Sequence, residues 1–145
     1  MRLHLIIAVV LSLSACGGSS SQVPVKGTDS QVVSLAGTWE GEYKGDESGR
    51  SGPISFTLTV GRHTAEGTVV MNNQTPLQIK FVELEGGGGV NGKIEPYTDP
   101  SCNCMVETEF SGQRVSERID GTFTTKVVQT GATQHGTWGV ARTAQ

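Results

Sequence analysis

No apolar run in this 145-residue sequence is long enough to cross a bilayer as a helix. The longest, Leu3 to Ala15, is interrupted by His4, Ser12 and Ser14, and it falls short of the roughly 20 residues that a spanning helix requires. Basic residues are few and scattered, 11 Lys and Arg against 14 Asp and Glu. With no basic patch and no interleaving of basic and aromatic residues, nucleic-acid binding is disfavoured. No long stretch carries a helical period. There is no Gly-x-Ser-x-Gly, phosphate loop or zinc motif to support the chemistry those motifs serve. What is abundant is glycine, at 20 residues, with threonine and valine also frequent. That composition suits an all-β chain with many turns.

The apolar run has another use. Arg2 supplies a positive start, Leu5 to Leu13 an apolar centre, and Ser14-Ala15 small residues before a cleavage point. This is the layout of a secretory signal peptide. The stretch Leu13-Ser14-Ala15-Cys16 resembles the lipobox of bacterial lipoproteins. The resemblance implies cleavage before Cys16, a lipid on its thiol and an acyl chain such as palmitate on its amino group. Two or more chains hold a membrane stably where one is marginal. Gly17 follows the cysteine in place of an aspartate, which by the same resemblance implies the outer membrane if the host is Gram-negative. Residues 1–15 are therefore read as a leader. Residues 16–33 are read as the lipidated cysteine and a flexible Gly/Ser/Pro/Gln tether reaching roughly 20–25 Å. Residues 34–142 are read as one folded domain, a length that suits a single unit.

Within that domain apolar and polar residues alternate with period two, the mark of half-buried strands. Leu35 to Tyr43 and Ile54 to Val60 are the clearest runs. Shorter ones centre on Val69, Ile79, Gly92, Thr108, Gly121 and Trp138, and Pro96 discourages a long strand around it. A small repeat recurs near the strand starts: Gly37-Thr38-Trp39, Gly67-Thr68-Val69, Gly92-Lys93-Ile94, Gly121-Thr122-Phe123 and Gly136-Thr137-Trp138. Interior glycine weakens a strand, so its recurrence argues for a tightly curved sheet whose inner face lacks room for every side chain. Eight strands with short turns predict an antiparallel up-and-down meander, closed into a small barrel by pairing the Trp39 strand with the Trp138 strand. Closure would also remove exposed edges. The Gly37-x-Trp39 start resembles the calycin group of lipocalins, fatty-acid-binding proteins and avidins, which implies a lipocalin-like barrel over residues 35–142 but assigns no ligand residues.

Candidate chemistry is thin. His63 is expected in a hairpin turn. His135 and Asp120 are expected to face outward, as are the pairs Glu40 and Glu42, and Glu107 and Glu109. All read as solvated residues, and no catalytic set, metal site or cofactor is expected. Cys102 and Cys104 form a candidate disulfide, plausible in an exported protein, but two cysteines so close can bridge only if the loop kinks. The predicted inner face holds Trp39, Tyr43, Ile54, Phe56, Leu58, Val69, Met71, Leu77, Ile79, Phe81, Val106, Phe110, Ile119, Phe123, Trp138 and Val140. An eight-stranded barrel is either just filled by side chains or holds one small ligand, and the many large residues weigh toward filling. Two functions follow. In the first, a lipid-anchored envelope barrel binds a small apolar ligand through Trp39, Tyr43, Phe56, Leu58, Phe123 and Trp138. In the second, a filled, non-catalytic barrel contacts an envelope macromolecule, or inhibits an enzyme, through its loops.

Overall fold

The computed structural model describes residues 22–59, 61–72 and 75–143. The expected signal peptide and Cys16 lie outside them. The elements are β1 (Gln22–Lys26), α1 (Asp29–Leu35), β2 (Gly37–Gly45), β3 (Ser51–Leu58), β4 (Thr64–Met71), β5 (Thr75–Leu84), β6 (Gly89–Asp99), β7 (Cys104–Val115), β8 (Arg118–Val127) and β9 (Thr133–Arg142). From β2 to β9 each strand pairs antiparallel with the next. The ring closes where β2 meets β9, from Trp39 opposite Arg142 to Gly45 opposite Gly136. The expected eight-strand meander and its closure are therefore present. Trp39 and Trp138 sit on neighbouring strands at different levels, since Trp138 lies opposite Tyr43.

The barrel has a ninth strand that the period-two reading missed. Strands β4 and β5 pair only between Thr68–Met71 and Thr75–Gln78. Below that they part, and β1 fills the fork, antiparallel to β4 at Gln22–Pro24 and parallel to β5 at Val25–Lys26. Residues 22–33, expected to belong to the tether, instead join the folded domain, because Val23 and Val25 are buried in the core while their neighbours face out. Next, α1 starts at a capping box. The Thr28 side chain accepts from the Gln31 backbone N–H, and the Gln31 side chain accepts from the Thr28 backbone N–H. A helix this short owes its stability to packing more than to propensity. Val32 and Leu35 are its buried face.

Two irregularities set which residues point inward. A register shift between Ile79 and Phe81 turns Val82 and Leu84 into the core. Phe81, expected inside, is only half-buried and instead lies under the Lys26 ammonium, 4.5 Å from the ring centroid. A second shift, between Ile94 and Tyr97, absorbs Pro96. Proline is tolerated in a sheet at such bulges, so β6 continues to Asp99.

The glycine repeat has a direct cause. Phe56 lies opposite Gly67, Phe110 opposite Gly92, Trp138 opposite Gly121 and Phe123 opposite Gly136. At Gly92, Gly121 and Gly136 a Cβ would come under 3.0 Å from the facing aromatic ring. Gly112, beside Gly121 on β7, would clash with Trp138 in the same way. Each large ring lies across the bare backbone of the next strand. Tyr43 is likewise opposite Gly52, outside the repeat. The first member, Gly37, differs: its φ of +116° at the start of β2 sets its need for glycine. Overpacking such a site costs about 1–3 kcal/mol. Gly121→Ala should therefore lower stability by that amount in urea unfolding, whereas Gly86→Ala, whose added methyl would meet open space, should leave the midpoint within experimental error.

Candidate functional site

The two ends of the barrel differ. At one end β1, α1 and the strand ends beneath them bury Val23, Val25, Val32, Leu35 and Leu58. Trp39, fully buried, is the centre of this plug. Its indole N–H donates to the Leu35 carbonyl at 2.8 Å, and the Arg142 guanidinium covers its ring at 4.4 Å from the centroid. Arg142 also donates to the carbonyls of Ser34 and Ala36, and Arg114 donates to that of Ser34. These last carbonyls of the helix end have no intrahelical partner of their own, so two arginines from β7 and β9 supply it. Glu117 pairs with the Arg142 Nε. On the outside, His63 reaches Asp29 at 2.9 Å and the Val25 carbonyl at 3.3 Å, tying the β3–β4 loop to the start of α1.

At the other end the interior is hollow. A cavity of about 120 Å³ runs down from the loops to Trp39. The inward aromatics Phe56, Phe110 and Trp138 pack against the core but are only partly buried, as are Ile54, Val69, Leu77 and Tyr97. Of the residues expected to hold a ligand, Trp39, Tyr43, Phe56, Phe123 and Trp138 line this space together. Leu58 does not. It points inward as expected, but at the level of Ala65 and Gly37 on the plugged side, where it is buried in the core. The rings are held by edge-to-face contacts, Tyr43 on Phe123 at 5.8 Å and Phe110 on Trp138 at 5.7 Å. The Trp138 N–H is shared by the Ser111 and Thr122 carbonyls, which fixes the indole against the wall.

Sequence reasoning missed the polar part of the lining. Arg50, Tyr97, Thr108, Thr125, Gln134 and His135 all reach the cavity. His135, expected to face outward, lies at the rim. Its Nδ1 is 3.0 Å from Glu47 Oε1, and its backbone N–H donates to the other Glu47 oxygen at 2.7 Å. Those two bonds hold the Glu47 carboxyl below its ordinary pKa. Tyr97 was hidden by Pro96, since only the bulge turns it inward. Burial raises the pKa of both Tyr97 and Tyr43, so their hydroxyls stay protonated and available as donors.

Across the mouth, Arg50 from the β2–β3 loop reaches Asp99 at the end of β6. Nη1 and Nη2 bond the two carboxylate oxygens at 2.5 and 2.6 Å, and Nη2 also donates to Ser101 Oγ at 2.6 Å. Asp99 further accepts from the Ser101 N–H and hydroxyl, both at 2.8 Å. A disulfide joins Cys102 to Cys104 in the same loop, with Asn103 at φ +49° supplying the kink the spacing demanded. Among the described residues no group of three His, Cys, Asp or Glu side chains could hold a metal ion.

Geometry and sequence together define a nine-strand, closed β-barrel domain with one plugged and one open end. Comparison with protein-family models, curated proteins and solved structures found no match.

The Arg50–Asp99 clasp has a measurable acid limit. Chiefly through the bonds from Arg50, the Asp99 pKa is lowered from 3.8 to about 2. A carboxyl depressed on folding contributes stability that is complete above its unfolded pKa and lost as pH falls through the folded one. Thermal stability should therefore drop between pH 4 and pH 2. Asp99→Asn should flatten that limb and cost about 2 kcal/mol at pH 7. An acid limb identical in the variant would mean that the clasp contributes nothing.

Proposed function

We propose that this protein is a non-catalytic, lipid-anchored barrel of the cell envelope that binds a small apolar ligand in the open-ended cavity. The observation that carries the reading is the cavity itself. Large apolar and aromatic side chains that would fill a barrel of this size are instead held back against its wall, over glycines, and leave about 120 Å³ empty. Concave sites with apolar walls and a few placed polar groups are the usual form of small-molecule sites. A filled core would have favoured the competing reading, a barrel that contacts an envelope macromolecule or inhibits an enzyme through its loops. The calycin resemblance of the Gly37-x-Trp39 start agrees with a ligand carrier. The lipobox resemblance at Cys16 supplies the location, with the outer membrane as the destination in a Gram-negative host.

The fold sharpens the anchoring geometry. With β1 beginning at Gln22, the chain from Cys16 to the barrel wall extends at most about 20 Å. The lipid would hold the domain close against the headgroups.

Two experiments test the two halves. Tryptophan fluorescence of the chain, titrated with toluene, should change saturably. Val69→Phe, which places a ring in the cavity, should weaken that response by about tenfold or more, equivalent to at least roughly 1.4 kcal/mol. A response unaffected by Val69→Phe would put binding elsewhere. Replacing Cys16 with Ser should move the protein from the membrane to the soluble fraction and abolish incorporation of labelled palmitate. Retention of both would end the lipoprotein reading.

A further inference from the structure

The wall of the cavity narrows the ligand class, on the reading that the cavity is a binding site. Its basic lining residues are Arg50 and His135, and both are already paired. The terminal nitrogens of Arg50 are committed to Asp99, Ser101 and the Met71 sulfur, and His135 is held by Glu47. An anionic ligand would have to displace Asp99, which is only 4% exposed, or enter unpaired at a large desolvation cost. A cation would find both carboxylates already engaged.

The uncommitted polarity is of another kind. Tyr97, Thr108 and Thr125 come from three consecutive strands and all reach the cavity. The Thr108 hydroxyl is 2.7 Å from that of Thr125, and it lies close enough to the Tyr97 hydroxyl to act on its pKa. Each hydroxyl has one O–H to give. The bond between Thr108 and Thr125 uses one of those protons, so the three hydroxyls keep at least one donor for a further partner. The chain sits just above Phe110 and Phe123. The facing wall, at Ile54, Phe56 and Val69, offers no polar side-chain atom.

We infer that the cavity takes an uncharged molecule with a single ring and one hydrogen-bond acceptor, such as a carbonyl or ether oxygen. The ring packs among the aromatics and the oxygen meets the Tyr97–Thr108–Thr125 hydroxyls. Size agrees, since the space is comparable with the roughly 150 Å³ cavity known to hold benzene. A long acyl chain overfills it.

The test is a titration of the full chain, followed by tryptophan fluorescence and calorimetry, with four probes: acetophenone, its near-isostere ethylbenzene, benzoate and laurate. Acetophenone should bind about five- to tenfold more tightly than ethylbenzene, the worth of one neutral hydrogen bond, and benzoate and laurate should bind more weakly than either. Replacing the three hydroxyls together, Tyr97→Phe with Thr108→Val and Thr125→Val, should bring the acetophenone-to-ethylbenzene ratio toward one while leaving ethylbenzene binding within about twofold, whereas any single replacement still leaves one O–H free to donate. Equal affinity for the isosteres in the parent, or tighter binding of benzoate or laurate, would overturn this inference and leave the cavity as a binding site. No saturable response to any probe would overturn the binding reading as well.

Discussion

The barrel depends on one repeated contact, an aromatic ring lying across the bare backbone of a glycine on the neighbouring strand. A small closed barrel has too little interior for a large side chain at every inward position. If the aromatics pointed straight to the axis they would meet and fill it. Laid flat over Gly67, Gly92, Gly121 and Gly136, they cover the wall and leave the axis free. The same contact protects the glycines, whose missing side chains would otherwise leave the sheet poorly packed, the situation that facing aromatics relieve. The hollow interior and the glycine content are therefore one feature seen from two sides.

The contact works only if one end of the barrel is sealed, because a wall of partly buried rings contributes less to the core than a filled centre. Here the plug supplies that core. β1 fills the fork between β4 and β5, and α1 adds Val32 and Leu35 beneath it. Trp39 then joins the helix to the sheet: it hydrogen-bonds Leu35, and Arg142 covers its other side while capping the helix carbonyls. Packing and open space are in this way divided along the axis, with the dense core below Trp39 and the cavity above. Leu58 belongs to the lower half although its strand also lines the upper one.

Much of this was legible in the sequence. Strict alternation in residues 54–58 and the repeated Gly-polar-apolar triplet led to the meander, its closure and five of the six proposed lining residues. The parts that were not legible have specific causes. Strand β1 is too short for periodicity to register, and the Gly- and Ser-rich segment before it, with Pro24 inside the strand, suggests a linker. Two signals were nonetheless present: Val23 and Val25 two apart, and Thr28-x-x-Gln31 ahead of an apolar run, the pattern of a capping box. Phe81 departs from its expected place because a bulge shifts the period by one, and a shift of one residue moves every later side chain to the other face. The polar lining was missed because threonines within strands and an arginine in a loop look like solvated residues until the topology places them around one cavity.

The second bulge has a chemical consequence as well as a geometric one. Without Pro96 interrupting the ladder, β6 would keep its register past Ile94. Odd-numbered Tyr97 and Asp99 would then face outward, opposite in phase to the inward Val90, Gly92 and Ile94. The extra residue reverses that phase. It brings the Tyr97 phenol beside Thr108 and the Asp99 carboxylate under Arg50. A single irregularity thus supplies both the hydroxyl that extends the polar chain within the cavity and the carboxylate that neutralises the one guanidinium near it. Had only the arginine faced inward, the cavity would favour an anion. Because the bulge delivers its counter-ion as well, the polarity that remains among the aromatic walls is that of neutral hydroxyls.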